Sequence, residues 1–402
     1  MLDLLQGVRV VSFNHFLLGP VAIQALGDLG ADVIAVEPTT GAFQRRFAGA
    51  GTFVDDQSAL LLCGNRNKRS LAIDLKSEEG RAIARRLIDQ ADVVAENFRP
   101  GVMEKMGLGY EALKETNPSL VYASASGYGA DGPYAERPGQ DLLIQAMSGL
   151  AKITGEASTG PRAVGVSVAD HHGAALMALG IVSALFRRMR TGKGCRVDVN
   201  LLSAAIDLQM ESFICFLNAK TRHDVTAPHR VGGWYYAAPY GIYPVKDGHM
   251  AISLTAFAQL GAAVESLALA EIPESEAAER SADVVAILNR VLPERTFAEW
   301  HERFEARRIW HARVNDYDEV HADPQVRHNE TFMTVPGATG SPVTLVNHPV
   351  RYDGQGAEVA LPPQPLGAQT RQILGEIGYG AEQIERYLEQ GVVIDDRARE
   401  PV

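Results

Sequence analysis

The sequence predicts an α/β fold, and three observations carry that prediction. Short β-branched runs alternate with helical stretches from Val8 to Asp198. Gly, Pro, Asn and Ser punctuate the junctions between them. Hydrophobic residues make up 46% of the 402 positions and charged residues 22%, enough apolar side chain for a packed core. Alternation of this kind builds a largely parallel sheet with helices on its faces. The length suggests two or three domains.

Val8 to Phe13 reads as the first strand and Asn14 to Gly19 as a turn. Pro20 suits a first helical position, because its missing N–H would be unpaired there. The helix runs to Leu29, Gly30 ends it, and Asp32 to Val36 is the next strand. A second β-α-β unit follows: Arg69 to Leu75, a helix over Glu78 to Ala91, and Asp92 to Ala95. Glu78 and Glu79 place negative charge in that helix's first turn, where it complements the dipole. Leu120 to Ser124 is a further strand, entering a Gly/Ser-rich loop that ends at Gly132. Helices are then expected over Asp141–Leu150, from Asp170 or its neighbours to Met189, and over Leu201–Leu217. A strand from Cys195 to Val199 falls between the last two. Around Thr226 to Tyr240 the composition turns to Pro, Gly and aromatic residues, which reads as a linker and domain boundary. The tail from Val335 returns to short strands and ends in two polar helices, Ala368–Ile377 and Ala381–Glu389.

Composition narrows the function. With 38 Lys and Arg against 49 Asp and Glu, the net charge is −11, so no electrostatic footprint for nucleic acid is expected. An anionic ligand must be held by a local basic pocket. The uncharged run Gly173–Phe186 is short for a bilayer, and the N-terminus lacks the pattern of a secretory signal. Three cysteines without C-x-x-C spacing fit a reducing compartment. The expectation is a cytoplasmic protein with no membrane or nucleic-acid partner, no metal site and no tightly bound cofactor.

Four segments carry possible chemistry. Asn14 to Pro20 follows the first strand and opens a helix, the place where ligands bind in open parallel sheets. Asn65 to Ser70 holds three cations, with Lys76 just beyond, and Asn97 to Leu108 adds Arg99 and Lys105. Those are the basic pieces that an anionic ligand needs, and solvated loop charge is the plainer reading. Val166 to Gly173 contains Asp170, His171 and His172 just before an apolar run. Asp170 suits a helix cap. The same placement favours an ionised carboxylate, which with a free oxygen is a nucleophile. The Asp-His-His run also suggests a metal phosphoesterase, but the Asp-rich strand ends that complete a two-metal site are missing.

Taken together, the segments resemble the class III CoA-transferase family, the group of formyl-CoA transferases, carnitine CoA-transferases and 2-methylacyl-CoA racemases. The residues that carry the likeness are Leu5–Val11, Gly19–Pro20, Leu29–Pro38, Asn67–Lys76 and Glu96–Gly101. Gly127–Gly129, Gly132–Tyr134, Gln145–Leu150 and Gly192–Val199 extend it, and Ala322–Val326 and Pro365–Thr370 close it. The matches run in order from end to end and are weakest between Ala219 and Ala312. The resemblance implies a large Rossmann-like domain built from N- and C-terminal segments (1–225 and 331–402), a smaller α+β domain (226–330), and an interlinked homodimer.

By resemblance, Asp170 is the catalytic aspartate. It would pass CoA from an acyl-CoA donor to a small carboxylic acid through aspartyl anhydride and aspartyl-CoA thioester intermediates. The family pattern for CoA carries onto His15, Phe16, Ile73, Lys76, Asn97, Phe98, Lys105, Met106 and Arg137. Leu17 and Gln140 fall at the substrate end. Pro38 stands where some members have an Arg near the adenosine. Leu17 replaces a polar residue near the thioester in formyl-CoA transferases, which argues against oxalate or formate. Racemases carry Gly-His-Asp where this chain has Gly139-Gln140-Asp141. Gln is no general base, so racemisation would have to recruit His15 or His171. The alternatives are thus an acyl-CoA racemase or isomerase of the same fold, a metal-dependent phosphoesterase, and a CoA-binding protein without catalysis.

Overall fold

The computed structural model describes residues 2–221 and 223–395. The chain forms two compact units. The first comprises residues 1–144, 167–208 and 324–402, the second residues 145–166 and 209–323.

The first unit is built on a seven-stranded sheet. Six strands are parallel: β1 (Arg9–Phe13), β2 (Asp32–Glu37), β3 (Lys68–Ile73), β4 (Val93–Glu96), β5 (Val121–Ser126) and β6 (Arg196–Asn200). Their spatial order is 3-2-1-4-5-6, the doubly wound order, and the short strand Val393–Ile394 adds antiparallel to β3. Strand alternation sends Val10, Val33, Val93 and Val121 to one face and Val11, Ile34, Val94 and Tyr122 to the other. On the first face lie α1 (Leu18–Asp28) and the long helix that starts at Val168. The second face is covered by α2 (Glu78–Ile88) and the C-terminal helices Thr370–Glu376 and Ala381–Glu389. Further along the chain, three helices used below are α3 (Asp141–Met147), α4 (Val168–Thr191) and α5 (Leu201–Asp207). A Cβ on Gly173 of α4 would fall 2.7 Å from Leu18 Cδ1, so the glycine lets α4 lie close against α1.

Several element ends differ from the sequence reading. Helix α1 begins at Leu18, two residues before Pro20; Pro20 still sits in the first turn, where no helical hydrogen bond is lost. The expected helix Leu201–Leu217 is two helices. The chain leaves helical dihedrals at Gln209 (φ −100°, ψ 19°), and α6 spans Met210–Asn218. Helix α4 has 24 residues because Val168 to His172 and Arg187 to Thr191 extend it at both ends of the uncharged run. By length and composition it is long and apolar enough to cross a bilayer, and its Ala169, Ala174, Met177 and Ile181 are core residues of the first unit.

The second unit is α+β. An antiparallel sheet of β7 (Gly241–Val245), β8 (Gly248–Ile252) and β9 (His311–Arg313) packs with α7 (Ser281–Val291) and α8 (Phe297–Glu305). Tyr243, Met250, Leu288, Trp300 and Phe304 form its core. The boundaries expected at 226 and 331 differ from the observed ones at both ends. The chain leaves the first unit inside α3, where no loop composition marks the change. Glu156 then ties the early segment in, accepting from His229 Nδ1 at 2.8 Å and from the Arg230 N–H.

The basic run before β3 also departs from expectation. Arg66 is buried and donates twice to Asp28, at 2.9 and 2.7 Å. Lys68 Nζ is buried against the carbonyls of Pro20 and Gly64, at 2.7 and 2.6 Å, and burial pushes its pKa down to about 7. Arg69 is paired with Asp32 and Glu376. These cations hold the fold together and are neither solvated loop charge nor ligand-facing.

Candidate active site

A cleft of about 550 Å³ opens in the first unit beyond the carboxyl ends of β1 and β4. Those neighbouring strands are the point where the winding of the sheet reverses, so their following loops diverge and leave a crevice. The loop after β1 supplies His15, Phe16, Leu17 and Leu18, and the loop after β4 supplies Asn97, Phe98 and Arg99. Asn97 staples the two loops. Its Oδ1 accepts from the His15 N–H at 2.8 Å and its Nδ2 donates to the His15 carbonyl at 2.7 Å. The His15 ring lies 5.4 Å from Phe98, and burial lowers its pKa, which favours the neutral imidazole. Buried Glu96, pushed up to about 7 by desolvation, accepts from the Phe98 N–H at 2.8 Å and sets the start of that loop.

One wall is aromatic. Phe16 has φ 59° and its N–H donates to Gln44 Oε1. Its ring lies 4.6 Å from Phe43, which stacks at 5.2 Å on Phe47, and each of these rings is at least 40% exposed. Such a stack offers a flat apolar surface to a heteroaromatic ring. The lining also includes Arg137, whose guanidinium lies 4.0 Å over the Tyr134 ring. The segment from Arg137 to Gln140 is held close by a glycine pair. A Cβ on Gly127 would fall 2.6 Å from the Gly139 Cα, and one on Gly139 2.3 Å from the Gly127 Cα.

Asp170 lines the cleft. It is the third residue of α4, after N-cap Ser167, so it is not the cap that the sequence suggested. Asp141, buried at the start of α3, accepts from the N–H groups of Ala169 and Asp170 at 2.8 and 3.1 Å. The helix start is thus satisfied by another carboxylate, which leaves both Asp170 oxygens without a hydrogen bond or ion pair among the described residues. Burial raises the Asp170 pKa to about 7, and the charge of Asp141 adds to the shift. A poorly solvated carboxylate without a partner, facing a cleft, has the character of a nucleophile.

The cleft therefore gathers Asp170, His15, Phe16, Leu17, Asn97, Phe98, Arg137 and Gln140. Four expected ligand residues lie elsewhere. The Ile73 side chain is wholly buried in the core at the end of β3. Met106 packs against the same core, and Lys76 and Lys105 are exposed outside the cleft lining. The Asn97 amide is spent on His15 backbone. His172 pairs with Asp207 at 2.7 Å, and its neighbours on α4 point around the helix, so Asp170-His171-His172 does not converge. Sequence reasoning missed Asp141, Phe43 and Phe47. Two phenylalanines in the otherwise polar Phe43-Gln-Arg-Arg-Phe47 stretch were the available signal.

A parallel sheet wound in this order, with a cleft at its switch point lined by an unpaired carboxylate and an aromatic wall, has the layout of a ligand-binding site with a reactive group in it. The sequence model of CoA-transferase family III matches residues 5–370, and the chain belongs to that family. It is 34% identical over 400 residues to the succinyl-CoA:glutarate CoA-transferase of Mus musculus, covering 97% of this chain and 90% of that protein. It is 33% identical over 404 residues to the succinate–glutarate CoA-transferase of Agrobacterium fabrum, covering 95% and 96%. The fold matches a CAIB/BAIF family protein from Brucella suis with TM-score 0.80 at 32% identity, covering 93% of this chain and 99% of that one.

Proposed function

We propose that this enzyme passes CoA from an acyl-CoA donor to a carboxylic acid by covalent catalysis at Asp170. One observation carries the reading: a carboxylate lining the cleft, partly desolvated and without a partner among the described residues, because Asp141 caps its helix in its place. An Asp170 oxygen attacks the thioester carbonyl. The C–S bond breaks, giving an acyl-aspartyl anhydride and CoA thiolate. The thiolate attacks the Asp170 carbonyl, the anhydride C–O bond breaks, and the donor acid leaves an aspartyl-CoA thioester. The acceptor carboxylate then attacks that thioester and expels the thiolate. Attack of the thiolate on the acceptor's acyl carbon yields the new acyl-CoA and frees Asp170. No proton is consumed, and each step exchanges activated acyl groups.

The surroundings support the roles. First-turn N–H groups of α1, whose Leu18 packs on Gly173 one turn from Asp170, are suited to meet the oxyanion of each tetrahedral intermediate. Arg99 and Arg137 supply cations for the CoA phosphates, and the Phe16–Phe43–Phe47 wall a stacking surface for adenine. The relatives' names put succinyl-CoA and glutarate first among pairs to assay. Incubation with acyl-CoA alone should add CoA to the intact chain by mass, hydroxylamine should convert the adduct to a hydroxamate at Asp170, and Asp170→Asn should show neither. An adduct of equal yield in Asp170→Asn rejects the reading.

A second reading, proton transfer at the α-carbon, rests on neutral His15 sharing the cleft with Asp170. Deuterium uptake at the α-carbon without an acceptor acid would favour it. For assembly, we propose an interlinked homodimer. Leu179, Val182, Phe186 and Met189 form an exposed apolar stripe at helical spacing on α4, the kind of surface that a second copy covers. Sedimentation at a dimer's mass is expected, and a monomer at working concentration would overturn it.

A further inference from the structure

The second unit brings three metal-ligating side chains together. His301 and Glu305 stand one turn apart on α8, and His311 opens β9. Their donor atoms all lie within 4.8 Å of one another. His311 Nδ1 lies 2.8 Å from the carbonyl oxygen of Ile309, a group that only accepts. The proton is therefore on Nδ1, and the Nε2 lone pair faces His301, whose Nδ1 is 2.9 Å away. A carbonyl that fixes the far nitrogen of an imidazole is the usual outer support of a metal-binding histidine. The rings are braced as well: His301 stacks on Phe297 at 5.8 Å and His311 meets Phe304 edge-on at 5.2 Å.

We propose that His301, Glu305 and His311 bind one divalent transition-metal ion, with Zn²⁺ the best match to an N₂O donor set and water completing the shell. Tetrahedral Zn²⁺ with Zn–N bonds of about 2.0–2.1 Å sets its two nitrogens about 3.3 Å apart. A small rotation of the exposed His301 side chain opens the observed 2.9 Å to that spacing. The ion replaces the hydrogen bond between the two rings and clasps the end of α8 to β9 across the turn that holds Arg308 at φ 54°. The spacing hides such a site from a sequence reading, since His-x-x-x-Glu on a helix is common and the third ligand lies on a strand.

The test uses the untagged full-length chain, stripped with chelator and titrated with Zn²⁺ by calorimetry and with Co²⁺ by visible absorption. One equivalent should bind in the micromolar range or tighter, Co²⁺ should give d–d bands, and Zn²⁺ should raise Tm by about 4 °C. His301→Ala, on an exposed face, should keep the metal-free Tm and lose the saturable binding. Glu305→Gln should weaken it about tenfold. No saturable binding by the native chain overturns the proposal, as does His301→Ala binding as tightly as the native chain. Neither readout depends on CoA transfer.

Discussion

Asp28 and Asp170 sit on helices that cover the same face of one sheet, and their surroundings drive them apart. Asp28 ends α1 within reach of His348, Arg66 and Asn67. Burial alone would raise its pKa, but His348 Nδ1 3.6 Å away, the hydrogen bonds and charge of Arg66 and the hydrogen bond from Asn67 hold the carboxyl below its usual range. Asp170, in the first turn of α4, has no partner for its oxygens among the described residues, and burial with the charge of Asp141 pushes it to about 7. Desolvation acts on both. The partner decides whether a buried carboxylate is fixed as structure or kept available for chemistry.

The largest expected effect separates their functions. Asp170→Asn should reduce CoA exchange by about 10⁴-fold or more, while Asp28→Asn leaves the rate per folded molecule nearly unchanged; comparable losses in both would erase the contrast. Stability should divide the other way. Arg66→Ala strands Asp28 as a buried unpaired charge and should cost about 3–5 kcal/mol in denaturant unfolding. Exposed Arg99→Ala should change stability by less than about 0.5 kcal/mol.

The two carboxylates should also give opposite pH dependence. Asp28 contributes stability above its unfolded pKa of about 3.9, and that contribution is lost as pH falls through its lower folded value. Asp170, raised to about 7, costs stability progressively from about pH 4 upward, with the full cost above pH 7. Asp170→Asn should therefore stabilise the chain at pH 8 by on the order of 2 kcal/mol and hardly at all at pH 4. Equal effects at both pH values would remove the desolvated charge from the explanation. The smallest effect concerns Asp141. Asp141→Asn weakens the cap of α4 by about 1 kcal/mol. It also removes the neighbouring charge that helps raise the Asp170 pKa, so the rise of exchange rate with pH should shift to lower pH than in the native enzyme. An unmoved pH–rate profile would show that Asp141 acts only as a cap.

Much of the first unit was legible because period-2 strands and helix starts are local. Val10, Val33, Val93 and Val121 declare a buried sheet face by themselves. Asp170 was legible as a helix-start carboxylate, and family likeness singled it out as the proposed nucleophile. What stayed hidden depended on partners distant in sequence. Arg66, Lys68 and Arg69 look like ligand-binding charge until Asp28, the Pro20 carbonyl and Glu376 close around them. Asp141 looks like an ordinary first-turn residue of its own helix, yet it caps one that begins 27 residues later. The exit of the chain from the first unit lies within a helix, where composition carries no mark.

The central claim is tested most directly by following oxygen. Turnover with an acceptor acid labelled with ¹⁸O in its carboxylate should deposit ¹⁸O in the side chain of Asp170, because the second anhydride leaves its bridging oxygen on the aspartate. A peptide containing Asp170 that gains one ¹⁸O in the first turnover and approaches two within a few more is the expected result; a peptide that stays unlabelled while labelled acid becomes acyl-CoA contradicts covalent catalysis at that residue.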